Sequence, residues 1–325
     1  MDNVRLNAAA IVALAELTTI AERTALTGSS DFLECLVLCP GLHKQQSATN
    51  LNNAEFPATA ALTTGYVFRV ENSATVHYLQ RVGRTGHLTM LNVHATGCSD
   101  TPSIKGRKDL LVPGRLLSEP LSFLLHLSVL MPTPIAIAVL VNLRDWWACT
   151  VIAMLVLCRL LNIIVIRRRS STFWAGASEP GARGDLLILL SRDRWIRMRG
   201  LIDDLKAVTS GEWLRDPTGL ENLATNCATV LVYIATVISG NCSSIGSLVI
   251  LLLLLSSAVL LGASNILLTT QTMHGRVICV VGEPVKYERR LILAKQLIKE
   301  TGRDDWAIGL GMIVPEMRDA VRATM

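Results

Sequence analysis

Aromatic side chains are scarce in this 325-residue chain, at 5%, and charged ones reach only 18%. So little charge argues against a disordered polypeptide, which needs high charge to stay solvated. The balance of 31 basic to 26 acidic residues lacks the dense basic patch of a nucleic-acid-binding domain. Eight cysteines are present, but none forms a CxxC pair and no Cys/His cluster has zinc spacing. Cys149, Cys158 and Cys227 lie in apolar runs, and Cys35 and Cys39 sit four apart in LECLVLC, so all five read as packing residues. No Ser-Asp-His order, P-loop or HExxH is found, and the fragment GLGM is too short for a nucleotide fingerprint. The residues therefore name no catalytic, cofactor or metal set.

What is abundant is aliphatic: half of the residues are hydrophobic, and the mean hydropathy is +0.42. The apolar residues are clustered. Crossing a bilayer takes about 20 residues of helix, and four runs approach that length. Ile245–Leu268 is free of charge throughout. Trp147–Ile166 ends at the basic cluster Arg167, Arg168 and Arg169. Leu223–Ser239 is shorter and more polar. Leu121–Leu143 carries Pro132 and Pro134 at its centre, and two readings stay open for it, a kinked span or a half-inserted hairpin. The expected fold is an all-α membrane protein with about four transmembrane helices and amphipathic cytoplasmic helices.

The distribution of arginine and lysine supplies an orientation. Residues 167–221 hold ten of them and the tail 270–325 nine, whereas the turn around 240–244 has none. The positive-inside rule places the basic segments in the cytoplasm. Three regions follow: a polar, loosely ordered extension over 1–110, a membrane region over 111–269 with a cytoplasmic loop 167–221, and a cytoplasmic tail 270–325. Within the loop, Trp195, Met198, Leu201, Ile202, Leu205 and Val208 recur at three- and four-residue intervals, the spacing of an amphipathic helix. In the tail, RVICVV from Arg276 suggests a short strand and Tyr287–Glu300 a charged amphipathic helix.

Ionisable groups within spans are costly and point to function. His126, Arg159 and Asn162 form the candidate intramembrane polar cluster. Asn241-Cys242-Ser243 matches the N-glycosylation pattern, so close to two spans that low occupancy is expected.

One stretch reads RLLNIIVIRRR and then FWAGASEPGARGDLLILLSRDRWIRMRGLIDDLKAVTSGEWLRDP, followed by two further apolar runs. This arrangement resembles uncharacterised multipass integral membrane proteins of filamentous fungi, over roughly residues 115–325. The resemblance implies a eukaryotic membrane setting and transfers no activity. The expected partners are the lipid bilayer and proteins docking on the cytoplasmic loop, with no nucleic acid and no cofactor. The expected role is a non-enzymatic scaffold or regulator at the cytoplasmic face. A small transporter or channel subunit acting as an oligomer is the second class, and a membrane-bound enzyme the third.

Overall fold

The structure, a computed structural model, describes residues 12–15, 17–42, 44, 48–96, 127–171, 174 and 176–314. The first elements are α1 (Thr19–Thr27), α2 (Ala48–Leu51), β1 (Ala58–Ala61), β2 (Val67–Arg69), α3 (Ser73–Val82), β3 (His87–Ala95), α4 (Pro132–Asn142) and α5 (Trp146–Ser170). Next come β4 (Arg183–Leu190), β5 (Arg194–Leu201), α6 (Ile202–Thr209), α7 (Gly219–Ile238) and α8 (Ser244–Leu267). The last are β6 (Gln271–Met273), β7 (Arg276–Val280), β8 (Val285–Lys286), α9 (Arg290–Thr301) and α10 (Asp305–Gly309). They divide into two compact units, each drawn from three separate segments. The first unit comprises Met1–Leu51, Ser99–Phe173 and Trp213–His274, and the second comprises Asn52–Cys98, Trp174–Glu212 and Gly275–Met325.

The first unit is helical. Each long helix starts at a residue that satisfies its free amides: Asp145 accepts from Ala148 N ahead of α5, and Ser243 accepts from Gly246 N ahead of α8. Thr218 and Glu221 form a reciprocal capping box on α7. The core joins Leu140, Ile152, Leu155, Val232 and Leu253 to Val37, Leu38 and Leu42 from the segment after α1. Three helices are long and apolar enough to cross a membrane: Trp146–Ser170, Gly219–Asn241 and Ser244–Leu267.

The second unit overturns the all-α expectation. Among the described residues, seven hydrogen-bonded strands belong to this unit. Their order is β2-β1-β4-β5-β3-β7, with β8 paired to the start of β3. Among the described residues only β3 and β5 run parallel. Leu293, Leu297 and Trp306, from α9 and α10, pack on the sheet face that bears Leu88, Leu187 and Trp195. Helix α6 covers the opposite face at Gly184, where a Cβ would lie 2.7 Å from Leu205 Cδ1, so a side chain there would displace Leu205.

The amphipathic-helix expectation for Arg194–Leu201 fails for a specific reason. Trp195 and Met198 are three apart, which fits a helix, but they belong to a strand and point to opposite faces of the sheet. Only Ile202–Thr209 is helical, so a strand joined to a helix mimicked one continuous helical period. The same correction applies to residues 58–95, expected as a loosely ordered extension, which supply β1, β2, α3 and β3. The number of spans also changes, because among the described residues the fourth run yields only the shorter helix Leu127–Asn142. Its residues 121–126, including His126, lie outside the described ones. Pro132 stands in the first turn of α4, where a missing amide costs nothing. Arg276–Val280 is a strand and Arg290–Thr301 a helix, close to the expected RVICVV strand and Tyr287–Glu300 helix.

Candidate functional site

Arg159 and Asn162 are three apart on α5 and therefore share a face. Both are buried, and they meet the segment that follows α1. Arg159 Nη2 lies 3.5 Å from Glu34 Oε2, and Arg23 Nε lies 3.9 Å from Glu34 Oε1. Glu34 belongs to the 3-10 turn Phe32–Leu36, which sets this one acid inward between the exposed Leu33 and the half-buried Cys35. Asn162 Nδ2 donates to the Leu42 carbonyl at 3.0 Å, and Cys158 Sγ reaches the same oxygen at 3.6 Å. Thr133 of α4 donates to the Leu36 carbonyl at 2.5 Å. Arg23 Nη1 contacts Ser264 Oγ of α8 at 3.4 Å. The non-helical backbone of residues 37–42 is thus held inside the bundle by side chains of two helices.

The cluster contains a charge pair at the middle of α5, the helix that ends at Arg167–Arg169. Burial of either charge alone costs several kcal/mol, so each needs the other. Among the described residues Arg159 Nε, Glu34 Oε2 and Asn162 Oδ1 have no hydrogen-bond partner. The pair is therefore an ion contact with spare donor and acceptor capacity, unlike a saturated fork. Glu34 is the member that the sequence reading missed. Its signal was an acid inside the apolar string FLECLVLC.

The second unit has a contrasting cluster. Buried Arg197 makes a bidentate contact with Asp185, Nε to Oδ1 at 3.0 Å and Nη2 to Oδ2 at 2.8 Å. Its Nη1 donates to Glu300 Oε2 at 2.7 Å, and Arg199 Nε adds a bond to Asp185 Oδ2 at 3.0 Å. The hydrogen bond from Arg197 holds the Glu300 carboxyl below its ordinary range. This fork fastens α9 to β4 and β5. No family model, no curated protein and no solved structure matches the chain. Among the described residues no group of three or more His, Cys, Asp or Glu is placed to hold a metal.

At the other end of the bundle, Asp145 Oδ2 accepts from Ser243 N at 3.0 Å and from Ser243 Oγ at 2.6 Å. Burial raises this carboxyl, but the Ser243 hydroxyl and the amides of Ala148, Ser243 and Trp147 outweigh it and hold the group below its usual range. Asn241 is exposed in the neighbouring turn Ser239–Asn241. The Ser243 hydroxyl of its glycosylation pattern is committed to Asp145 and to Gly246 N.

Proposed function

We propose that the chain is a polytopic integral membrane protein whose second unit works in the cytoplasm as a regulatory or docking module. The observation that carries this reading is the inverted polarity of α8. Ile245, Leu248, Leu252, Leu255, Val259 and Ile266 face outward, whereas Ser257, Ser264 and Asn265 are buried beside Ile250, Leu253, Leu254 and Leu261. A helix in water would show the opposite pattern. The outward stripe runs about 32 Å along the axis, close to the roughly 30 Å of hydrocarbon in a bilayer.

The arginines at the end of α5 support a cytoplasmic position for that end. Arg169 Nε donates to the Arg215 carbonyl at 2.8 Å, so the approach to α7 lies at the same level. Asp145 and Ser243 mark the opposite level. Support for a docking or regulatory role comes from the distribution of chain. The sheet unit is a folded α/β body, while the connection between α7 and α8 is a single short turn. The order of segments over residues 115–325 is the basis for placing the chain beside uncharacterised multipass proteins of filamentous fungi.

Reporter insertions in exposed turns test the arrangement. Tags at Thr64, Arg192 and Gly282 are expected in the cytoplasm, and tags at Arg144 and Gly240 on the other side. An extracytoplasmic signal at Arg192 would sink the proposal, as would release of the protein by alkaline carbonate. One observation favours a transport role instead: the Arg159–Glu34 pair at mid-helix depth. Solute flux through reconstituted protein that disappears in Arg159→Gln would favour that second reading.

A further inference from the structure

We propose that the loop Ser29–Leu33 and the last turn of α5 bind the headgroup of an anionic phospholipid of the surrounding bilayer. The proposal rests on the membrane reading above. The apolar run of α5 stops at Ile166, so the arginines after it mark the headgroup level. The loop is pinned at that level. Arg167 Nη1 donates to the Ser30 carbonyl at 3.1 Å, and the hydroxyls of Ser29 and Ser170 are 3.0 Å apart. The Arg167 guanidinium also lies 4.4 Å above the Phe32 ring.

Phe32 and Leu33 are consecutive large apolar residues, 52% and 64% exposed, on a turn whose next residue is buried. In water such a pair is unfavourable; at the boundary of acyl chains and headgroups it inserts. The three arginines divide their work. Arg169 turns inward to the Arg215 carbonyl, and Arg167 and Arg168 remain at the surface. Arg168 makes no ion pair among the described residues, and Arg167 has only Asp31, 3.5 Å away and itself 78% exposed. Arg167, exposed beside the apolar wedge, and Arg168, exposed on the same last turn, match a phosphate with acyl chains attached. A lipid phosphate competes with Asp31 for Arg167.

The test uses the full chain in phosphatidylcholine vesicles with and without phosphatidylserine. Bound lipid is counted by native mass spectrometry after detergent release. Wild type is expected to retain phosphatidylserine over phosphatidylcholine. Retention should drop roughly fivefold for each arginine removed in Arg167→Gln and Arg168→Gln, rise in Asp31→Asn, and stay unchanged when inorganic phosphate is added. Phe32→Ser should weaken retention without altering the melting temperature of the bundle. Equal retention of the two lipids, or undiminished retention in the double arginine variant, overturns the proposal. So does displacement by inorganic phosphate, which would indicate a free-anion site. Carbonate extraction of the same samples separates the two readings. Protein that stays in the pellet but shows no lipid preference refutes only the headgroup site, and released protein refutes both.

Discussion

Removal of one partner from the Arg159–Glu34 pair should be far more harmful than removal of both. At 3.5 Å the attraction is about 5 kcal/mol for an effective dielectric near 20. Desolvation of two buried charges takes back most of that, so the net value of the pair is small. A lone buried charge gains no such compensation. Arg159→Met leaves Glu34 uncompensated except for Arg23, which stands 3.9 Å away, and the expected loss is about 3–5 kcal/mol. For a unit of this size that corresponds to a fall of roughly 10 °C in melting temperature. Glu34→Leu should cost a similar amount, because Arg159 is enclosed and gains no other acid. The double variant Arg159→Met/Glu34→Leu replaces the pair by apolar groups and should recover most of the loss. Recovery is incomplete because Arg23 loses its partner, yet Arg23 still reaches Ser264 Oγ. The assay is thermal unfolding of purified protein at fixed detergent and lipid. Additive effects, with the double variant as unstable as the two losses combined, would refute the reasoning. A neutral Arg159→Met would do so too, since it would mean that water already solvates the arginine.

Three further outcomes are expected. Gly28 closes α1 at φ +74°, and a Cβ there would lie 2.7 Å from the Thr272 carbonyl oxygen; Gly28→Ala should therefore lower stability by about 1–2 kcal/mol or more, read as melting temperature, and an unchanged value would contradict the packing of α1 against β6. Gly246→Ala would drive its methyl into Asp145 Oδ2, so it should destabilise wild type but do much less harm in an Asp145→Ala background, which itself loses about 0.5–2 kcal/mol of capping; equal effects in both backgrounds would disprove the contact. Glu300 is held below its ordinary range by Arg197, so its contribution is complete above the unfolded carboxylate value, about 4.3, and is lost as pH falls through the folded value. Melting curves from neutral to acid pH should fall more steeply for wild type than for Glu300→Gln, by a modest amount because the carboxylate is partly exposed, and parallel curves would exclude the linkage.

The parts of this fold legible in the sequence are those fixed by contiguous residues. Ile245–Leu268 reads as a helix because no interruption breaks it, and Arg276–Val280 reads as a strand because β-branched residues dominate between breakers. The rest depends on partners far away in the chain. β1 is only ATAA, four small residues with no pattern of their own, and it is a strand because it pairs with Leu186–Leu189 on one side and Val67–Arg69 on the other. Arg159 could be flagged from its place in an apolar run, but nothing local assigns Glu34 as its partner. The run from Trp195 to Val208 shows the complementary failure, in which one apparent helical spacing was spread over the strand β5 and the helix α6. Discontinuous units defeat a reading that moves from one end to the other, since the sheet takes strands from before α5, between α5 and α7, and after α8.

That interleaving dictates an order of assembly. Ala58–Ala61 pairs with Leu186–Leu189, and Leu91–Ala95 pairs with Arg276–Val280, so both pairings wait for intervening helices to be made. Loop closure over such separations adds little to the equilibrium cost but slows the search for partners. Until Gly275–Val314 emerges, β3 lacks its antiparallel neighbour β7, and Leu187 and Trp195 lack the cover of Leu293, Leu297 and Trp306. On the membrane placement proposed above, a chain ending at His274 should still enter the membrane, because α5, α7 and α8 are complete. Its sheet should remain an open, half-covered surface. Limited proteolysis distinguishes the outcomes: the truncated chain should resist carbonate extraction yet be cut readily between β4 and β5 at Arg192 or Arg194, where the full chain holds Arg194 through bonds to the Gln80 and Ser191 carbonyls. Equal protection of that turn in both chains would show that β1, β3, β4 and β5 close without their last neighbours, and that the sheet forms before the tail arrives.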